Sequence, residues 1–383
     1  MKKVRKFCAK NAHFILSALI FVALIWYLDS YSVQNLHALM SEDQEEVTIS
    51  ATAVAESMST TSKSSYLVAS DTPQFVVLSF DGSKDLEMLS ETREFARKMN
   101  DEGKPLHLTY FVNAAYFLSN ENANVYQGPG EKRGFSNIGF SDSAADINQR
   151  IQGFNDAVKE GNEIGSHTAG HFIGTNWTYE NWISEFNSFE NILFTPRQNI
   201  VPDLPKTLSI TSKDIIGFRA PGLATNDNMY KALRDFHFLY DTSGVDFYNS
   251  WPQKDSYGIW RIPLGVIRIG SRQIPVVAMD YSIWVLQSNA QNVALKGTSL
   301  WNEYFNEVKD AYLGYFNSNY NGNRAPVIIG GHFSKWNDGV YFEAMKSFAE
   351  DVCGKPYVRC VTFKTLVGYL ENIGVPEIIS QKK

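Results

Sequence analysis

The sequence lacks an excess of basic residues. Its 383 residues include 35 Lys and Arg against 41 Asp and Glu, a formal charge of −6 at pH 7. Residues 1–30 hold five of these cations and one anion, so the remainder of the chain is more acidic than the whole. Because nucleic-acid binding requires Lys and Arg to neutralise backbone phosphates, this balance argues against a nucleic-acid partner.

Cysteine is also scarce, with three residues in the chain. Cys8 lies in a basic and apolar leading segment, whereas Cys353 and Cys360 enclose a short turn that contains Gly and Pro. This close pair predicts a disulfide and therefore an oxidising compartment. Two buried free thiols are the alternative interpretation.

Long apolar runs are rare, and the clearest one lies near the start of the chain. Residues 14–28 contain Ser17 as their one polar residue and follow a basic stretch, but no small-x-small cleavage site comes after them. This pattern predicts an uncleaved membrane anchor, with a removed signal peptide as the alternative. Both place the rest of the chain outside the cytoplasm, facing the periplasm or the cell exterior.

The sequence has no internal repeat, which leaves a simple linear organisation. Residues 47–70 are dominated by Ser, Thr and Ala and are typical of a flexible spacer. We therefore predict a membrane anchor or signal segment over 1–30, a linker over 31–73 and one folded domain over 74–383.

Within the folded domain, short apolar runs alternate with longer amphipathic segments. Runs such as "QFVVLSF", "LHLTYFV" and "APVIIGGHF" are separated by segments such as "DLEMLSETREFARKMN". Such alternation predicts an α/β fold with a largely parallel sheet and helices outside it. About seven units favour a closed or distorted (β/α) barrel over an open sheet.

A distinctive polar residue follows nearly every predicted strand. These residues are Asp81, His167, Arg219, Asp241, Asp280 and His332. Because the carboxyl ends of barrel strands meet at one face, we expect these side chains to converge there.

The stretch "GSHTAGHF" places two histidines, His167 and His171, four residues apart. Both rings can bind one zinc-like cation if the segment forms a turn, although two solvated loop histidines are an open alternative. A protease of the H-E-x-x-H type requires Glu at position 168, where this chain has Thr168. That class is therefore disfavoured.

Three further motifs carry groups suited to hydrolysis. Asp81 in "LSFDGS" is able to bind a metal or deprotonate water, or else to cap the following helix. Arg219 in "GFRAPG" is suited to orienting a carboxylate beside backbone N–H groups that face an oxyanion. His332 in "IIGGHF" is suited to general acid catalysis, or is simply hydrogen-bonded.

The ordered set SFDGS, HTAGH, FRAPG, YDTSG and GGHF resembles the polysaccharide deacetylase family, the NodB-homology carbohydrate esterases. The resemblance covers residues 74–373 and lies in the order and spacing of the motifs. It implies a distorted (β/α) barrel that uses a divalent metal, most often zinc, to remove acetyl groups from glycans such as peptidoglycan or chitin.

The resemblance also implies roles for individual residues. His167 and His171 are similar to the metal-binding histidines of the family, and Asp81 is similar to its catalytic base. Arg219 is similar to the residue that orients this base, and His332 to the general acid.

Two further roles follow from the same resemblance. The backbone N–H of Gly222 matches the oxyanion position, where the family usually has an aromatic residue. Asp241 or Asp246 resembles the acid that tunes the catalytic histidine.

The chain departs from the family at two positions. Gly82 replaces a second aspartate that is a metal ligand, so we expect Asp81 to act as both base and ligand, with Asp85 or Asp280 as other sources of an oxygen. Gly330 replaces a Leu of the pocket for the acetyl methyl group, so we expect that pocket to be wider or built differently.

Aromatic residues are abundant, with eight Trp and nineteen Tyr. Trp336 follows His332 by four residues and Trp177 follows His171 by six, so we expect both to line a glycan groove, with simple packing as the alternative.

The leading interpretation is a membrane-anchored or exported polysaccharide N-deacetylase. A catalytically silent carbohydrate-binding protein and an O-acetyl (xylan) esterase of the same fold are the alternatives.

Overall fold

The computed structural model describes residues 66–67, 72–195, 207–376 and 379–380. The predicted membrane segment 1–30 and nearly all of the predicted linker 31–73 lie outside these ranges. Within the described ranges, none of the helices combines the length and the apolarity that a bilayer span requires.

Strands and helices alternate along much of the described chain, as the sequence predicts, but the six strands from β6 to β11 follow one another without a helix. The strands are β1 (Tyr66–Leu67), β2 (Gln74–Gly82), β3 (Thr109–Val112), β4 (Glu163–Ser166), β5 (Gly217–Phe218), β6 (Tyr240–Asp241), β7 (Val245–Phe247), β8 (Gln253–Lys254), β9 (Trp260–Arg261), β10 (Leu264–Ile269), β11 (Ile274–Val277), β12 (Val327–His332), β13 (Val358–Cys360) and β14 (Ile379–Ser380). The helices are α1 (Leu86–Asp101), α2 (Ala144–Lys159), α3 (Tyr179–Phe194), α4 (Asp227–Asp235), α5 (Asp280–Ser288), α6 (Ser299–Tyr320), α7 (Trp336–Val352) and α8 (Phe363–Ile373).

Side chains cap the helices that follow the strands. The Oδ1 atom of Asp85 accepts a hydrogen bond from Met88 N at 2.9 Å and so caps α1. Thr178 and Asn181 form a reciprocal capping box at the start of α3. Asp85, which the sequence offered as a source of a missing oxygen ligand, is thus engaged at a helix end instead.

The main sheet is largely parallel and curled. Its hydrogen-bonded order is β12-β2-β3-β4-β5-β6-β9-β8, and β13 also pairs with β2. A second sheet, β11-β10-β7, meets β12 through a parallel bridge between Met279 and Gly330. Within the described residues, hydrogen bonding does not close the ring between β7 and β8.

The structure confirms the α/β class and differs from a regular parallel barrel at two antiparallel pairs, β8 with β9 and β10 with β11. Strands β10 and β11 form an antiparallel hairpin, because the short turn between them, closed by a hydrogen bond from Gln273 N to Gly270 O, reverses the chain. A β-α-β crossover, the basis of the barrel prediction, needs a much longer connection.

The pleat of the strands separates the packing residues from the polar residues. Phe80 of β2 points outward and packs against Phe342 of α7, with ring centroids 5.8 Å apart. Phe111 of β3 points inward and packs against Tyr240 and Phe363. Because successive residues of a strand point to opposite faces, Asp81 lies on the inner face of the curled sheet.

A disulfide links Cys353 and Cys360, whose Cα atoms lie 5.8 Å apart. It joins the end of α7 to β13, which pairs with the first residues of β2. The predicted pairing of these two cysteines is confirmed.

We expect the double variant Cys353→Ser/Cys360→Ser to lower the free energy of unfolding by about 2–3 kcal/mol, because the bridge restricts the unfolded chain over a short loop. Urea denaturation of the oxidised wild type and of the variant measures this loss. Equal unfolding midpoints for the two proteins would show that the bridge does not stabilise the fold.

Candidate active site

Four of the predicted site residues lie at the carboxyl ends of neighbouring strands. Asp81 on β2 pairs in register with His332 on β12. His167 follows β4, and its backbone N–H donates to the carbonyl oxygen of Val112 on β3. Arg219 follows β5, and its backbone N–H donates to the carbonyl oxygen of Ser166 on β4. The sheet register therefore brings these side chains to one edge.

Asp81 and Arg219 form a buried ion pair. Nη1 of Arg219 lies 2.8 Å from Oδ1 of Asp81, and the two side chains are 0% and 3% exposed, respectively. The guanidinium also lies over the ring of Phe111, 4.5 Å from its centroid, and donates to the carbonyl oxygen and hydroxyl of Thr242. Arg219 is therefore held in a single orientation, which in turn orients the carboxylate of Asp81.

His167 and His171 face each other across a tight turn. Their ring centroids lie 4.9 Å apart, in an edge-to-face arrangement. The turn that joins them places Thr168 and His171 in the left-handed region, with φ of 65° and 60°. The structure thus confirms that both rings are presented by one turn and not by a regular helix.

Burial determines the protonation of this histidine pair. Loss of hydration lowers the pKa of His167 and of His171 to about 3 each, so both rings are neutral at neutral pH. Nδ1 of His167 donates to the carbonyl oxygen of Arg219 at 2.7 Å, which leaves the lone pair on Nε2. Nδ1 of His171 is buried and has no hydrogen-bond partner within the described part of the chain.

Two neutral imidazoles in contact, one with an unpaired buried nitrogen, fit a divalent cation as a ligand pair. The described residues contain no group of three or more His, Cys, Asp or Glu side chains arranged to hold an ion. Oδ1 of Asp81, which was predicted as the third ligand, accepts from Nη1 of Arg219, and its ligand role stays a prediction. His167 and His171 are therefore the residues that would hold a metal.

The acid that contacts His332 is Asp280, which begins α5. Nδ1 of His332 lies 2.6 Å from Oδ1 of Asp280, and the backbone N–H of His332 donates to Oδ2 at 2.7 Å. Such a carboxylate selects the ring tautomer and stabilises the protonated imidazole.

The sequence predicted Asp241 or Asp246 in this role. Asp246, on β7, accepts a hydrogen bond from the backbone N–H of Phe247, and the structure places Asp241 elsewhere. Asp241 accepts hydrogen bonds from Ser243 and from Tyr230 of α4. The reason is topological: β6 is separated from β12 by four strands in the sheet, whereas the bridge at Met279 brings Asp280 directly beside β12. The position of Asp280 after an apolar run was the signal available in the sequence.

Trp336 lies beside His332, as predicted, with ring centroids 5.3 Å apart. It stacks almost parallel on Trp284, at 4.6 Å and 5°. Trp284 follows Asp280 by one turn of α5. Trp177 is placed differently, because it packs against Trp182 of α3 with ring centroids 4.7 Å apart.

Gly222 and Gly330 are two of the glycines that stand where the resembled family has a larger residue, and their surroundings differ. Gly222 lies in the 3-10 turn Pro221–Leu223 with φ of 59°, and a Cβ atom there would approach Ile173 to 2.5 Å. A Cβ atom at Gly330 would lie 2.7 Å from the side chain of Met279. Met279 therefore occupies the space next to Gly330, where the resemblance led us to expect a pocket that is wider or built differently.

No family model matches the chain, and none of the curated proteins matches it. Among solved structures, a provisionally named polysaccharide deacetylase from Mycobacterium smegmatis aligns with a TM-score of 0.50 and 12% identity, covering 84% of this chain and 99% of that one. The Puue allantoinase aligns with a TM-score of 0.46 and 13% identity, covering 79% and 92%. A family 4 carbohydrate esterase from Streptomyces lividans, in complex with acetate, aligns with a TM-score of 0.38 and 12% identity, covering 74% and 90%.

The likeness to the mycobacterial structure extends over nearly all of that protein and concerns the fold. It agrees with the curled α/β sheet described above and with the ordered motifs of the sequence. The chain therefore has the fold of that polysaccharide deacetylase, as the resemblance implied.

Proposed function

We propose that this protein is a metal-dependent hydrolase that removes acetyl groups from N-acetylglucosamine residues of a cell-envelope polysaccharide, peptidoglycan or a chitin-like glycan. The observation that carries the proposal is the joint presence of two polar pairs, the buried Asp81 with Arg219 and the half-buried His332 with Asp280, around a neutral histidine pair. Zinc is the proposed metal.

Hydrolysis of an acetamide needs activation of water, stabilisation of an oxyanion and protonation of a poor leaving group. A divalent cation held by His167 and His171 would lower the pKa of the attacking water and polarise the acetamide carbonyl. Every other part of the reaction falls to side chains and backbone groups of the chain itself.

Asp81 is the proposed base and takes a proton from the attacking water. Its ion pair with Arg219 fixes the orientation of the carboxylate in a buried site. The backbone N–H of Gly222 is the proposed donor to the oxyanion.

His332 is the proposed acid and delivers a proton to the departing sugar nitrogen. Asp280 holds the ring through Nδ1, so Nε2 is the atom that transfers the proton. The carboxylate also stabilises the imidazolium before that transfer. Acetate and a free amino sugar are the products.

We further propose that the working domain lies outside the cytoplasm and that the segment 1–30 attaches it to the membrane. The disulfide between Cys353 and Cys360 supports an oxidising compartment.

A catalytically silent glycan-binding protein is the second candidate. It is favoured by Gly82, which stands where the family has a metal-binding aspartate, and by the lack of a three-residue ligand group within the described residues. In this second function, the aromatic residues near His332, Trp284 and Trp336, would bind a glycan without hydrolysing it.

An acetate-release assay separates these functions. We expect release from N-acetylglucosamine oligomers and from peptidoglycan, with loss of release in the presence of a chelator and recovery on addition of zinc. Release from acetylated xylan alone would indicate an O-acetyl esterase instead. Glycan binding without release from either substrate would indicate the silent binder.

Trp336→Ala is expected to raise KM for N-acetylglucosamine oligomers by about fivefold, with kcat nearly unchanged, because contact of a sugar with the half-buried indole contributes about 1 kcal/mol. Steady-state kinetics measure the change. Trp177→Ala is the matched control, since Trp177 packs on Trp182. An equal rise in both variants would assign Trp336 to packing alone.

A further inference from the structure

The turn between His167 and His171 is strained. Thr168 and His171 both have left-handed backbone conformations, with φ of 65° and 60°. Non-glycine residues in this region are strained and persist where the surroundings hold them. The geometry of the histidine pair therefore depends on groups that hold this turn.

The carbonyl groups of the turn are held by a neighbouring segment of main chain. Their donors are backbone amides: Ala114 to the oxygen of Thr168, Ala115 to that of Ala169, and Asn137 to that of Gly170. These bonds leave the amides of Ala169 and Gly170 to be satisfied by another group.

That group is the side chain of Glu185, on α3. Its Oε1 atom accepts hydrogen bonds from Ala169 N at 2.9 Å and from Gly170 N at 2.8 Å. Its Oε2 atom accepts one from the hydroxyl of Tyr126 at 2.7 Å. The carboxylate is 0% exposed, and these three donors offset the cost of burying it.

We propose that Glu185 is the positioning residue of the histidine pair, an inference that rests on the metal-dependent function proposed above. Glu185 accepts hydrogen bonds from the amides of Ala169 and Gly170, which lie between the two ligands. It thereby keeps the strained turn in the one conformation that presents the two rings together. A carboxylate at this position would also favour a cation held by the two rings.

Two variants separate these contributions. Glu185→Ala removes both the acceptor and the charge, whereas Glu185→Gln keeps an acceptor oxygen of similar shape and removes the charge. Outer-shell partners of metal ligands contribute about 10–100-fold in affinity. We expect zinc affinity of the full-length protein to fall about tenfold in Glu185→Gln and toward 100-fold in Glu185→Ala.

Glu163 supplies a matched control at the other end of the sheet. It is a buried carboxylate on β4 that accepts hydrogen bonds from Tyr240 at 2.9 Å, from Thr109 at 3.0 Å and from Lys364 N at 2.8 Å. Glu163→Gln is expected to lower stability while leaving zinc affinity unchanged. A general loss of folding would lower zinc binding in Glu185→Gln and Glu163→Gln alike. A positioning role lowers it in the Glu185 variants and not in Glu163→Gln.

The experiment combines zinc titration with hydrogen exchange of the metal-free protein. We expect the amides of Ala169 and Gly170 to exchange faster in Glu185→Ala than in the wild type and in Glu163→Gln. Wild-type zinc affinity in a folded Glu185→Ala would overturn the inference, as would an equal loss in Glu163→Gln. Wild-type affinity in Glu185→Gln alone would overturn the contribution of the charge and leave the positioning by hydrogen bonds. Wild-type protein that binds no divalent cation would instead overturn the proposed metal-dependent function, and with it the metal role of Glu185.

Discussion

His332→Ala is expected to lower kcat for acetate release by about 10²–10⁴, the usual contribution of a positioned general acid, and to leave zinc content unchanged. The amide leaving group departs poorly without a proton, and His332 is the ring that Asp280 holds at the edge of the sheet. Acetate-release kinetics and elemental analysis of the same samples measure both quantities.

Two variants distinguish this role from a metal-binding role. His167→Ala is expected to lose zinc and activity together, because His167 is a proposed ligand. Asp280→Asn is expected to retain zinc and to lose part of the activity, because the amide no longer stabilises the imidazolium. Equal zinc loss in His332→Ala and His167→Ala would contradict the assignment of His332 as the acid.

Arg219→Met is expected to lower the free energy of unfolding by about 3–5 kcal/mol, because it leaves the carboxylate of Asp81 buried without its counter-ion. The two side chains are nearly inaccessible to water, so solvent cannot replace the lost partner. Urea denaturation followed by circular dichroism measures the loss.

The chain offers a control with the same distance and a different environment. Nζ of Lys335 lies 2.8 Å from Oε1 of Glu91, but their side chains are 40% and 37% exposed. Lys335→Met is expected to cost less than about 1 kcal/mol. The double variant Asp81→Asn/Arg219→Met is expected to recover part of the stability that Arg219→Met loses. Equal losses in Arg219→Met and Lys335→Met would show that burial does not decide the strength of the pair.

The local elements of this fold could be predicted from the sequence. "QFVVLSF" forms most of β2, and the amphipathic segment after it forms α1, which Asp85 caps. Apolar period and capping residues act over a few positions, so they are visible in the chain itself. The convergence of Asp81, His167, Arg219 and His332 could also be predicted, because each follows a predicted strand and parallel strands end at one edge of the sheet.

The partner of His332 could not be predicted in this way. Asp241 and Asp280 both follow apolar runs, and nothing local to either one distinguishes them. The difference lies in the order of strands across the sheets. This order places the end of β11 beside β12, whereas four strands lie between β6 and β12.

The role of Glu185 was likewise hidden. In the sequence it is one acidic residue in an amphipathic helix, where exposure to solvent is the usual expectation. Packing of α3 against the sheet buries this carboxylate beneath the histidine turn, where it accepts from the amides of Ala169 and Gly170.

The sequence by itself determined the α/β class, the disulfide, and the residues that meet at the carboxyl edge of the sheet, because hydrophobic period, loop length and strand direction are local properties. The tertiary structure alone decided which acid holds His332, that Asp81 pairs with Arg219 through Oδ1, and that Met279 fills the space at Gly330. These pairings join positions between 51 and 138 residues apart, and they depend on strand order and side-chain packing, which no short segment of the chain encodes.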